Sequence, residues 1–170
     1  MKTFRGSLIV LAVCSCLAPA AWTRPQNPAA FNKQKQLLPA TEQELAMARK
    51  GTAKYHDIEE AEADGYVDIH LYLPGEGFHW VKPSLIDGTF DPSHPEVLLY
   101  APVPGESRLQ LVGVEYLVPL AVSPGPPAGF VGDADEWRKD SEGFGFWEVN
   151  AWIWLTNPEG IFGHDNPRVP

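Results

Sequence analysis

Cysteine is scarce in this 170-residue chain, and both copies, Cys14 and Cys16, sit in one apolar stretch near the N-terminus. Everything beyond that stretch is therefore without disulfides, thiolate zinc sites or cysteine nucleophiles. Positive charge is short as well: 13 Lys and Arg face 22 Asp and Glu, a formal net charge of −9. An acidic surface repels phosphate backbones, and no basic stripe offsets it, which argues against nucleic acid as a partner. No apolar run reaches the roughly 20 residues that a bilayer-spanning helix needs. The signatures GxSxG, HExxH, GxGxxG, the P-loop and the EF-hand loop are all missing, which removes the commonest enzyme classes.

What is present suits one domain with short extensions. Apolar residues make up 44% and charged residues 21%, ordinary values for a globular protein, while 17 prolines and 15 glycines favour short elements joined by turns. Residues 1–20 read as an export signal. Lys2 and Arg5 form its charged start, SLIVLAVCSCLA (7–18) its apolar centre, and Ala18-Pro19-Ala20 a small-x-small cleavage site. A second reading treats Val13-Cys14-Ser15-Cys16 as an imperfect lipobox with a lipid anchor at Cys16. Either way the expected location is the periplasm, outer envelope or exterior, and membrane contact comes only through the leader or that anchor. Residues 21–40, rich in Pro, Ala, Gln and Asn, read as a tether. A single domain is expected over 41–170.

Thr41 and Glu44 have the spacing of a capping box, predicting a helix that starts at Thr41. Leu45, Met47, Ala48, Thr52, Tyr55 and Ile58 supply its apolar face, and Gly51 weakens it by about 1 kcal/mol relative to alanine. Asp57 with Glu60 re-caps a second short helix, which Asp64-Gly65 ends. From there the period changes to two. Strands are expected at 66–73, 78–81, 96–101, 108–118 and 145–155, separated by Gly/Pro-rich turns; Gly75-Glu76-Gly77 is a hairpin turn with Glu76 at its exposed tip. The fold class is α+β: an N-terminal helical segment on a curved antiparallel sheet of about five strands, with a small open β-barrel as the alternative.

Alternation puts Glu148, Asn150, Trp152 and Trp154 on one face of the last strand, Glu115 on one face of the fourth, and Asp68, His70 and Tyr72 on one face of the first. If those faces coincide, Tyr72, Glu115, Glu148, Asn150, Trp152 and Trp154 form a largely apolar surface with a few polar groups, the composition of a small-molecule pocket. His79, between Phe78 and Trp80, is either a structural histidine or, with Glu115 and Glu148, part of a nitrogen/oxygen set for a divalent transition metal, as in a metal-binding protein or a metal-dependent enzyme. His70 and His164 stand in reserve for that set. Glu115 interrupts an apolar strand, where an unpartnered carboxylate is costly. Trp152 and Trp154, two residues apart, read first as core aromatics at strand spacing, with a platform for stacking sugar rings as the lesser reading. A structural envelope component with no pocket is the remaining reading.

The blocks AKYHD (53–57), ADGY (63–66), GFHWV (77–81), PEVLLY (95–100), LVGVEY (111–116) and NPEG (157–160) together resemble a group of uncharacterised exported bacterial proteins of about this length, over residues 45–168. The resemblance implies the exported location and the domain limits, and it carries no activity. It also implies a histidine on the last strand where this chain has Asn150, so a metal set here has one imidazole fewer.

Overall fold

The computed structural model describes residues 36–140 and 143–170; the segment read as an export signal, Cys14, Cys16 and most of the segment read as a tether lie outside them. Helix α1 runs Pro39–Thr52, followed by a 3-10 turn, Ala53–His56, and a short helix α2, Ile58–Ala63. Strands follow as β1 Val67–Leu73, β2 Gly77–Val81, β3 Val97–Pro102, β4 Leu109–Pro119, β5 Arg138–Lys139 and β6 Phe146–Ala151. They form one antiparallel sheet in the order β1-β2-β3-β4-β6-β5. The chain is α+β, and its sheet is open, with β1 and β5 at the edges. Among the described residues, no helix is long and apolar enough to cross a membrane.

The helix begins two residues before Thr41, with Pro39 in its first turn, where a missing N–H costs nothing. Thr41 and Glu44 are used differently from a capping box. The Thr41 hydroxyl donates to Val131 O, and the Glu44 carboxylate accepts from Val131 N at 2.7 Å, so the pair clasps a distant loop. Asp57 does cap α2, accepting from Glu59 N at 3.1 Å. Thr41, Leu45, Ala48 and Thr52 are the buried stripe of α1, whereas Met47 is exposed. That stripe packs on one sheet face, where Trp80, Leu98, Tyr100, Val114, Tyr116 and Val149 form the main core. Burying side chains of this size contributes about 2 kcal/mol each, which makes this face the chief source of stability.

Gly51 allows α1 to approach the loop before β3. A Cβ there would lie 2.3 Å from Ser93 O, so the residue that weakens the helix locally is what lets it dock.

The other sheet face has a second, smaller apolar cluster: Val97, Leu99, Ala101, Val112, Leu117, Trp152 and Val169. Val169 belongs to the C-terminal segment, which returns to the β1–β2 turn. Asn166 N donates to Gly75 O at 2.8 Å, Gly75 N to Pro170 O at 3.2 Å, and the Tyr72 hydroxyl also to Pro170 O. Asn166 is fully buried, and its amide donates to Leu155 O at 3.1 Å. The tail therefore covers one part of this face and leaves the rest open.

Candidate functional site

Register decides which side chains meet on the open face. Across β2–β3–β4–β6 the pairs His79↔Leu99, Val97↔Glu115, Glu115↔Asn150 and Leu117↔Glu148 put His79, Glu115, Glu148 and Asn150 on one side, away from α1. On β1, Tyr72 pairs with Phe78 and Asp68 with Trp80, so those two point to the helix side, and Tyr72 packs on Phe78 with ring centroids 4.7 Å apart. Ile69, Leu71 and Leu73 take the side that the sequence pattern gave to Tyr72. His70 sits at an irregularity in β1 with φ 57°, its side chain 87% exposed and paired with Asp68 at 3.0 Å. It takes no part in the site.

The result is a cavity of about 320 Å³. Its walls are Ile69, Leu71 and Leu73 from β1, Val81, Val97 and Leu117 from the central strands, and Ile86, Phe144 and Phe146 at its margin. Into this apolar space the sheet sets three polar side chains, His79, Glu115 and Glu148, each with 5% or less of its surface exposed.

The two tryptophans part company because β6 ends at Ala151. Trp152 N donates to Ile161 O, and Trp152 is buried, its indole donating to Gly163 O at 2.6 Å. Trp154 crosses to the helix side, where its indole donates to Thr52 Oγ1 at 3.2 Å and its ring meets His56 edge-on. Both border a second, polar cavity of about 550 Å³ with Arg49, Glu136, Asn157 and Glu159, but Trp152 is 2% exposed and packed in the open-face cluster, so it offers no free ring face for stacking.

His79 Nδ1 faces Leu71 O at 3.4 Å, a contact that only an N–H makes favourably. Nε2 lies 3.8 Å from Glu76 Oε2 and 3.9 Å from Glu115 Oε2, distances longer than hydrogen bonds. Glu76 is thus not an exposed tip: it is 3% exposed and turned inward, under positive φ at both Gly75 and Gly77. Its Oε2 accepts from Asn150 Nδ2 at 3.3 Å, and its Oε1 lies 3.6 Å from His164 Nε2. Burial alone raises the Glu76 carboxyl, but His79, His164 and Asn150 outweigh it and hold the group below its ordinary range.

The metal set expected from the sequence does not converge as a trio. Among the described residues, the His, Asp and Glu side chains with ligand atoms all within 4.8 Å of one another are Glu76, His164 and Asp165. His79, Glu115 and Glu148 instead line one cavity. Glu76 carried a signal in the sequence, a charged residue between two glycines, which can turn a side chain inward as readily as outward.

A further carboxyl lies under the helix-side core. Glu96 is buried, its Oε2 accepts from Leu117 N at 3.1 Å, and burial pushes its pKa up to about 8. His94 pairs with Asp91 at 2.8 Å on the exposed loop, remote in role from either cluster.

Comparison with family models, curated proteins and solved structures finds no match to this chain.

Proposed function

We propose that this is an exported, single-domain binding protein that takes a small, mainly apolar molecule carrying one cationic or hydrogen-donating group. The observation that carries the reading is the open-face cavity of about 320 Å³, with aliphatic walls and His79, Glu115 and Glu148 buried in it. Ligand pockets are apolar concavities of roughly 300 Å³ or more with a few convergent polar groups, and this one sits at the small end of that range.

The polar chemistry selects the ligand. Two carboxylates favour a donor, and an ammonium group there would meet charge-assisted acceptors in a poorly solvated setting. A carboxylate ligand would meet like charge and be rejected. At about 30 Å³ per water-sized volume, the cavity holds roughly ten such volumes, which suits a short alkyl or aryl amine.

Calorimetric titration of the protein with hexylamine and with hexanoate tests this. The amine binds, the acid does not, and Glu115→Gln with Glu148→Gln removes the preference. Equal binding of both, or binding of neither at millimolar concentration, overturns the reading.

A further inference from the structure

A second cluster lies outside the cavity lining, where the C-terminal segment meets the β1–β2 turn. We infer that Glu76, His164 and Asp165 form a divalent-transition-metal site that clips the C-terminal segment to this turn. This goes beyond the amine-binding reading and does not rest on it, since none of the three residues lines the cavity.

The spacing fits ligands better than hydrogen bonds. Glu76 Oε1 and His164 Nε2 are 3.6 Å apart, whereas two ligands about 2.1 Å from a tetrahedral zinc lie about 3.4 Å from each other. Asp165 brings a second carboxylate oxygen within 4.8 Å of both, from an exposed position where a side-chain rotation closes the remaining distance. One imidazole with two carboxylates is a nitrogen/oxygen set of the kind that takes zinc and its neighbours, with further positions left to water.

The supports behind the ligands are in place. Glu76 Oε2, the oxygen away from His164, is held by Asn150 Nδ2 and faces His79 Nε2, and such contacts orient a ligating carboxylate. Asn150 Nδ2 also donates to His164 O at 2.9 Å, so one side chain ties both segments together. Its other atom, Oδ1, is a buried acceptor with no hydrogen-bond partner among the described residues, and a metal-bound water would supply one. Gly75 makes room for the approach: a Cβ there would lie 3.0 Å from Asp165 Cβ and 3.3 Å from Asp165 Oδ1, at φ +88°. The backbone bonds between Asn166, Pro170 and Gly75 hold the two segments in register beneath the cluster.

The test is calorimetric titration with zinc ion alone on the full chain, carrying Cys14→Ser and Cys16→Ser so that no thiolate competes. One zinc binds per chain and raises the melting temperature. His164→Ala and Asp165→Ala, both near the surface, each weaken it at least about tenfold and abolish the thermal shift. Glu76→Gln weakens it similarly, with circular dichroism showing that the variant is folded. His94→Ala, in the exposed Asp91–His94 pair, leaves binding unchanged. Absence of saturable one-to-one binding, undiminished affinity in His164→Ala, or loss of binding in His94→Ala each overturns the site. Amine binding in the cavity is read with a different ligand and different variants, so either proposal fails without the other.

Discussion

Glu96→Gln separates one buried carboxyl from the rest of the titration behaviour. Glu96 is 2% exposed, and its pKa of about 8 stands against an ordinary value of 4.5. Burial is the main cause, Asp87 and Asp91 add to it, and the bond from Leu117 N opposes it. Between those two values the folded chain binds a proton that the unfolded chain does not, so stability falls as pH rises through the window. The contribution is fully present below the unfolded pKa and gone above the folded one. At 1.36 kcal/mol per unit, going from about pH 6 to about pH 9 removes about 3 kcal/mol through this group.

Glutamine keeps the oxygen that accepts from Leu117 N and cannot ionise. Urea unfolding of both proteins at these two pH values is the assay. The parent loses about 3 kcal/mol more than the variant, a difference of roughly 1–2 M in midpoint for a domain of this size, and at high pH the variant is the more stable protein. Parallel pH dependence in the two, or greater loss in the variant, would refute the assignment of a buried, neutral Glu96.

Three further outcomes follow from packing and the cavity. Gly51→Ala lowers stability by about 1 kcal/mol or more in thermal unfolding, against its favourable helix propensity, because the new methyl meets Ser93 O at 2.3 Å. Leu98→Ala, at a fully buried site on the helix-side face, costs about 2–5 kcal/mol in chemical unfolding. Leu71→Trp places an indole in the cavity, so calorimetry detects no hexylamine binding while circular dichroism of the variant matches the parent.

The fold class was legible because period-two runs such as Val67–Leu73 and Leu109–Pro119 are unambiguous locally. The parity between strands was not. It depends on how the Pro74–Glu76 turn sets Leu73 opposite Gly77, and that single register moves Tyr72 to the helix side and Leu71 to the cavity. Glu115, Glu148 and Asn150 share a face, as alternation implies, because β4 and β6 are regular where they pair, but only the two glutamates line the cavity; Asn150 bonds to Glu76 and His164 instead. Trp154 falls on the other side because regular pairing, and with it alternation, stops at Ala151: Ile153 N bonds to Ala151 O, and Trp154 N and Leu155 N both reach Val112 O. Strand β5, only two residues long, has no periodicity to read. Glu76 read as a solvent tip because hairpin turns usually are; what buries it is a C-terminal segment some 90 residues away, and no local pattern reports such a contact.

The central claim is that the open-face cavity receives an apolar molecule with a donating head. Methyl-resolved NMR during titration with hexylamine tests it most directly. The claim predicts saturable shifts at Leu71, Val97 and Leu117, with the helix-side methyls of Leu45 and Leu98 unmoved, and no such shifts with hexanoate. Shifts spread evenly over both faces, or the same shifts with hexanoate, would contradict it.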